Sequence, residues 1–183
     1  MANVYWITGL SGAGKTTLAT LLTSHLKKEG KSVIMLDGDA IRTALKSVSK
    51  HKREDRLALA YQYGGLAKMI ADQGFQVVVS TVSLFDEIHL WNRNNLPGYY
   101  EVYLKVDIEE LRRRDAKGIY ARYDAGELSN LAGLDIPIDE PKKPNLVIDF
   151  YNGLTPDETL RIVLEAFGRD KKRKQERNKK NER

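Results

Sequence analysis

The sequence predicts an α/β fold, a parallel five-stranded sheet with helices on both faces, and three observations carry that reading. Short apolar, strand-like runs alternate with stretches of helical periodicity, the pattern of a parallel sheet covered on both sides. The first run, Val4–Thr8, leads straight into Gly9-Leu10-Ser11-Gly12-Ala13-Gly14-Lys15-Thr16, which fits the phosphate-cradling pattern G-x-x-x-x-G-K-[ST]. Leu18, Leu21, Leu22 and Leu26 then mark out the helix whose N-terminus such an anion needs.

Taken in order, the strands are expected at Val4–Thr8, Ser32–Leu36, Gln76–Ser80, Tyr100–Val106 and Leu146–Asp149. Helices are expected between them at about Lys15–Lys28, Asp39–Ser47, Arg53–Gln73, Phe85–Asn95 and Ile108–Arg114. The last helix has the clearest punctuation. Thr155-Pro156-Asp157-Glu158 offers a cap residue, a proline at the first helical position and a capping-box glutamate, and Phe167-Gly168 reads as its stop. Residues 115–144 resist regular assignment, broken by Gly118, Gly126, Gly133, Pro137, Pro141 and Pro144. A loop this long inside a compact domain is more often a functional lid than filler. Tyr61, Tyr63 and Gly64-Gly65 interrupt a long helix, which fits close packing or a kink and carries no functional reading.

A length of 183 residues suits one domain. We expect one folded domain at 1–168 with a lid at about 115–144, and at 169–183 a basic tail, disordered as a solvated extension or forming a frayed helix. The tail holds nine Lys/Arg and three Asp/Glu, a local +6 against the chain's +5, which leaves a nearly neutral body at −1. That body offers no groove-sized positive field, so no nucleic-acid partner is expected. There is no cysteine, which excludes disulfides and thiolate metal sites. No signal-peptide pattern and no apolar run of membrane-spanning length is present, so the expectation is a cytoplasmic protein without a membrane partner.

The glycine-rich motif states what is gripped. Its backbone N–H groups turn onto β- and γ-phosphates, Lys15 adds a mobile positive charge, and the Thr16 hydroxyl can complete the shell of a Mg²⁺ ion. Gly9, Ser11, Gly12, Ala13, Gly14, Lys15, Thr16 and Thr17 are therefore the candidate ATP-binding residues. Second in information is Leu36-Asp37-Gly38-Asp39-Ala40-Ile41-Arg42, at the carboxyl end of the second strand, where open α/β sheets place ligands. Phosphoryl transfer needs a metal on the phosphates, a carboxylate to orient or deprotonate the accepting hydroxyl, and cations for the equatorial oxygens. Asp37 with Thr16 can fill the metal role, Asp39 the base role, and Arg42 can hold an acceptor phosphate. The plainer reading of Asp39 is a cap on a helix beginning at Ala40.

These motifs, followed by Arg114-Asp115-Ala116-Lys117-Gly118-Ile119-Tyr120 and by Glu140-Pro141-x-x-Pro144-Asn145-Leu146-Val147-Ile148-Asp149, resemble the adenosine 5′-phosphosulfate (APS) kinase family. The resemblance spans most of residues 1–167 and implies a fold of the P-loop NTPase type with a lid. It implies transfer of the ATP γ-phosphate to the ribose 3′-hydroxyl of a nucleotide, a small-molecule acceptor, and a homodimer. Carried over position by position, it implies Lys15 and Thr16 on ATP and Mg²⁺, Asp39 near the acceptor hydroxyl, and Arg42 on the acceptor phosphate. Lys117 comes down with the lid, unless it is a solvated loop charge, and Arg114 packs its flat guanidinium beside the ATP adenine.

Departures from the family pattern gather on the acceptor side. Lys46 stands at a family Asn, and Ser49-Lys50-His51 replace a Leu-Gly-Phe whose ring stacks on the acceptor base; His51 can still stack or lie exposed. Val82-Ser83-Leu84-Phe85-Asp86 replace Ile-Ser-Pro-Tyr/Phe-Arg, so an acid occupies the place of an acceptor-side arginine. In the lid, Leu131 replaces the second stacking Phe, Ser129 a Lys and Asp124 an Arg. The candidate acceptor-binding residues are thus Asp37, Arg42, Lys46, Ser83, Phe85, Arg93 and Leu131, with Ile88 and Trp91 read as core. Adenylyl sulfate is the first expected acceptor, because the family sets that prior. A nucleotide conjugate such as the cytidine diphosphoramidate used by relatives in capsule pathways is the alternative, since both stacking rings are lost. A GTPase is disfavoured by the absence of Asn-Lys-x-Asp, and a nucleic-acid-binding ATPase remains a distant alternative served only by the tail.

Overall fold

A computed structural model describes residues 2–46, 52–150 and 153–181, with side chains as far as residue 169. Five parallel strands, β1 (Val4–Thr8), β2 (Val33–Asp37), β3 (Gln76–Thr81), β4 (Tyr100–Lys105) and β5 (Leu146–Asp149), form one sheet in the order β2-β3-β1-β4-β5. The helices are α1 (Lys15–Lys28), α2 (Gly38–Ala44), α3 (Arg53–Asp72), α4 (Asp86–Asn95), α5 (Ile108–Arg114), α6 (Ile119–Asp124) and α7 (Pro156–Asn181). All five expected strands are present, each within about a residue of its expected bounds.

Strand alternation builds the two faces. Tyr5 and Ile7 of β1 point into a core shared with Leu18 and Leu22 of α1 and Phe167 of α7. Val4 and Trp6 point the other way, among Ala60 and Ala67 of α3 and Ile88 of α4. Phe167 closes the first face by packing on Tyr5 and Tyr100, with ring centroids 4.8 and 4.2 Å away. Gly64 explains the interruption in α3 as close packing: a methyl there would meet the Trp91 ring at 2.8 Å and Asn92 Oδ1 at 3.0 Å.

Two expectations are corrected. Within residues 115–144 a helix, α6, forms; Gly118 precedes it in a left-handed conformation, and the Asp115 carboxylate accepts from the amides of Tyr120 at 3.1 Å and Ala121 at 2.9 Å. The last helix does not stop at Gly168. Thr155 and Glu158 do make the capping box, with the Thr155 amide donating to Glu158 Oε2 at 2.8 Å, but α7 then runs on to Asn181, so that the basic tail takes the helical one of its two expected forms. One internal glycine costs a helix only about 1 kcal/mol, and the Lys, Arg, Gln and Glu that follow are good helix formers. Among the described residues no helix is long and apolar enough to cross a membrane.

Candidate active site

The order β2-β3-β1-β4-β5 reverses direction at β1, and at such a switch point the carboxyl ends of the strands leave a crevice. The loop of residues 9–16 emerges there. Gly9 has no room for a side chain, since a Cβ would lie 2.6 Å from the Leu104 carbonyl oxygen. Gly12 and Gly14 adopt φ of 82° and 91°, turns that L side chains rarely take, and Gly14 opens α1. Ala13 is fully buried beneath the loop, and the Ser11 carbonyl accepts from the Tyr120 hydroxyl of α6 at 2.8 Å. The lid is thereby tied to the glycine-rich loop.

Lys15 lies back along the loop, its Nζ donating to the Leu10 carbonyl at 2.7 Å. Burial, reinforced by the nearby Lys117 charge and only partly opposed by Asp39 and Asp37, pulls its ammonium down to about 8. Asp37 is a hub. Its Oδ2 accepts from Thr16 Oγ1 at 2.8 Å and from Ser80 Oγ at 2.6 Å, and its Oδ1 accepts from the amides of Asp39 at 3.0 Å and Ala40 at 3.2 Å. Burial pushes the carboxyl up, but these hydrogen bonds together outweigh it and hold it below its ordinary range.

Asp37, not Asp39, therefore caps α2, which leaves the Asp39 carboxylate for other partners. Lys117 Nζ donates to Asp39 Oδ2 at 2.5 Å, and Arg42 donates to Oδ1. Desolvation again works upward, yet the Lys117 hydrogen bond and the two cations keep Asp39 below the usual carboxylate range. Arg42 is steadied by the Tyr63 hydroxyl at 3.3 Å, which itself donates to the Gly38 carbonyl at 3.1 Å.

Two cavities share residues of this centre, and a third lies against the glycine-rich loop. A small one of about 50 Å³ holds Lys15, Thr16, Asp37, Asp39, Arg42 and Lys117. It shares Arg42, Thr81 and Val82 with a second, of about 200 Å³, whose walls are Leu59, Tyr63, Phe85, Ala132, Ile136 and Ile138 and whose charges are Arg42 and Arg56. Ser83 lines it too, in a strained backbone with φ of 22° and its hydroxyl 2.8 Å from that of Thr81. The third, of about 250 Å³, opens beside Ala13, Gly14 and Thr17 and is bounded by Arg114 and Phe150. An apolar cavity with two guanidiniums, joined through Arg42 to a charged triad beside the glycine-rich loop, is a layout for moving a phosphoryl group between two bound molecules.

Residues 1–149 match the adenylylsulphate kinase family. The chain belongs to that family. It is 41% identical to the cytidine diphosphoramidate kinase of Campylobacter jejuni subsp. jejuni serotype O:2, over 90% of this chain and 95% of that protein. It is 37% identical to the adenylyl-sulfate kinase of Clostridium acetobutylicum, over 92% of this chain and 84% of that one. Among solved structures, the Mycobacterium tuberculosis APS kinase in complex with AMPPNP and APS superposes with a TM-score of 0.84 at 30% identity, covering 91% of this chain and 98% of the other. This chain is thus a kinase that phosphorylates a hydroxyl group, as its relatives are.

In this adenylylsulphate kinase family member several expected acceptor residues lie elsewhere. Arg93 is turned away: it pairs with buried Glu101 at 2.8 Å, donates to the Lys143 carbonyl at 2.7 Å and lies over the Tyr99 ring. Helical spacing cannot tell which face an arginine takes when a buried carboxylate competes for it. Leu131 packs into the core at 8% exposure, while its neighbour Ala132 reaches the cavity. Lys46 is exposed at the end of α2 and lines none of the three cavities. His51 lies outside the described residues.

Asp86, expected as an unbalanced acid beside the acceptor, pairs with Lys142. Its neighbours knit the end of the lid to α3 and α4: Arg53 binds Glu87 at 3.2 Å and Asp139 at 2.9 Å, and Asp139 Oδ2 accepts from the Asp86 amide at 3.2 Å. Sequence reading missed Arg56, Tyr63, Ser80 and Tyr120. Arg56 sits in the run Arg53-Glu54-Asp55-Arg56, which reads as an ordinary charged first turn of a helix.

Proposed function

We propose that this kinase transfers the γ-phosphate of ATP to the ribose 3′-hydroxyl of a nucleotide conjugate, with cytidine diphosphoramidate as the acceptor. The observation that carries the transfer is Asp39, released from capping, charged, and held between Lys117 and Arg42 where the phosphate loop meets the apolar cavity. The amides of residues 9–16, with Lys15, take the β- and γ-phosphates. Asp39 accepts the proton as the acceptor oxygen bonds to the γ-phosphorus; the bond to the β-bridging oxygen breaks and ADP leaves. Arg42 and Arg56 pair with the acceptor's own phosphates, and the apolar walls take its base.

The residues suit Mg²⁺. A hydroxyl and a carboxylate 2.8 Å apart, Thr16 and Asp37, offer the one or two protein oxygens the ion ordinarily takes beside phosphates and water. Among the described residues no cluster of three acidic or imidazole ligands competes for a metal. When bound, the ion supplies charge neutralisation on the phosphates.

Two observations favour the cytidine conjugate over adenylyl sulfate. The Campylobacter relative aligns over nearly its full length at 41%, and Leu131 is core where the family resemblance implies a stacking phenylalanine. Adenylyl sulfate is the second reading, supported by the family match and the Mycobacterium structure. A Mg²⁺-ATP phosphotransfer assay with both acceptors, its 3′-phosphorylated product weighed by mass spectrometry, decides. Turnover of the cytidine conjugate at least tenfold above that of adenylyl sulfate is the expected result, and the reverse preference sinks the cytidine reading.

A further inference from the structure

Thr81 ends β3 at the carboxyl edge of the sheet, in register with Thr8 of β1, and no step described so far uses its hydroxyl. It lines both the small charged cavity and the apolar one, so it stands where the two join. A methyl placed on Gly38 would meet Thr81 Oγ1 at 3.4 Å and Arg42 Nη1 at 3.5 Å. The hydroxyl therefore lies against the same stretch of backbone as the guanidinium that grips Asp39.

Ser83, its partner, is held in place from both sides. Its φ of 22° persists because the flanking carbonyls are clamped: that of Val82 accepts from Thr8 Oγ1 at 2.5 Å, and that of Leu84 from the Asp139 amide at 3.0 Å. The turn so fixed keeps the Ser83 hydroxyl 2.8 Å from that of Thr81, both residues being buried. One hydroxyl proton is spent between them. The pair keeps one proton to give and lone pairs to accept with, and among the described residues no third group takes them.

We propose that the Thr81–Ser83 hydroxyl pair reads the 2′-hydroxyl of the acceptor's ribose, and that Thr81 confines this kinase to ribonucleotide acceptors. This rests on the reading of the acceptor as a nucleotide phosphorylated on its 3′-hydroxyl at Asp39. The 2′-hydroxyl sits on the neighbouring ring carbon, so an acceptor presenting one to Asp39 carries the other to the junction of the cavities. It both gives and takes a hydrogen bond, which matches what the pair has left to offer. A 2′-deoxy acceptor leaves the buried pair without that partner, and an unmet buried hydroxyl costs more than the bond contributes when made. Ser80, next along β3, does not serve, because its hydroxyl is given to Asp37.

The test measures kcat/KM for the acceptor that turns over, cytidine diphosphoramidate or adenylyl sulfate, and for its 2′-deoxy counterpart. The wild type is expected to prefer the ribonucleotide about tenfold or more. Thr81→Val suits a strand and removes only the hydroxyl function; it should slow the ribonucleotide roughly five- to tenfold and leave the 2′-deoxy counterpart within about twofold, so the preference collapses. Thr81→Ser keeps the hydroxyl and the preference, and Ser83→Ala, which removes the other half of the pair, lowers it. KM for ATP does not change in any of the three. A merely structural role slows both acceptors alike. That result, or a wild type that does not distinguish them, overturns the inference while leaving 3′-phosphorylation intact. A wild type that phosphorylates neither ribonucleotide overturns the acceptor reading and the inference with it.

Discussion

Asp37 and Asp39 stand two residues apart and are separated by their hydrogen bonds: the first is committed to four donors, the second faces two cations and the cavity. Asp39→Asn keeps the shape but removes the charge proposed to receive the proton. We expect kcat to fall by about 10²–10⁴, the usual worth of a positioned acid–base group, with KM for ATP changed only a few-fold. Steady-state kinetics checks this, and unchanged turnover refutes the assignment. Lys15 makes a second expectation, with two opposite signs. Its ammonium is lowered to about 8, so in the free enzyme the charge proposed to meet the phosphates is lost as pH rises through that value, and kcat/KM for ATP should decline on that basic limb. Stability moves the other way. Above about pH 8 the unfolded chain holds this proton until the ordinary lysine range while the folded chain does not, so unfolding takes up a proton and the contribution of Lys15 to stability rises across that window. In Lys15→Arg the kinetic limb should disappear from pH 7–10, which a pH–rate profile measures. The sequence pointed to Lys15, Asp37 and Asp39 because phosphate chemistry needs those residue types beside that loop, and to Lys117 only through the family resemblance. It could not assign the cap, since Asp at either position satisfies the same preference and only the backbone angles at Asp37 decide.

At the scale of elements, α3 and α4 pack so closely that neighbouring glycines have opposite consequences. Gly64 faces Trp91 and Asn92 at 2.8–3.0 Å, whereas Gly65 has nothing within 4 Å of an added methyl. Gly64→Ala is expected to destabilise by about 1–3 kcal/mol through overpacking, and Gly65→Ala to stabilise by about 0.5–1 kcal/mol through helix propensity. Denaturant unfolding of the two variants reads both signs, and equal effects would refute the packing assignment. The Gly64-Gly65 pair was visible as an interruption in a helical pattern, but periodicity does not say which of two adjacent glycines faces a neighbour. The lid shows the same limit. Its glycines and prolines mark an irregular stretch, yet the Tyr120 hydroxyl on the Ser11 carbonyl and the Arg53–Asp139 and Asp86–Lys142 pairs bridge positions tens of residues apart, which no local pattern encodes. Leu131 and Arg93 were misplaced for the same reason: a buried carboxylate and a core gap, both distant in sequence, claimed them.

For the whole molecule, a parallel sheet with two packed faces follows from the alternation of strands and helices that is legible throughout, whereas the strand order, and with it the crevice at β1, is set by long-range packing that the alternation does not encode. The C-terminal end is the exception. The last side chains of α7 in the core are Val163 and Phe167, and beyond Gly168 the segment has no apolar residue to bury. Helix there rests on propensity alone, and a helix without a packed face is marginal. Deleting residues 169–183 should therefore leave Tm nearly unchanged, because it removes nothing from the core. It takes away a net +6 and brings the chain from +5 to −1. If catalysis belongs entirely to the near-neutral body, kcat and both KM values of the truncated enzyme stay within about twofold, at low salt as well as at 0.15 M. A rise in either KM confined to low ionic strength would instead show the tail's field drawing anionic nucleotides toward the crevice, a steering effect that screening over ~8 Å at physiological salt removes.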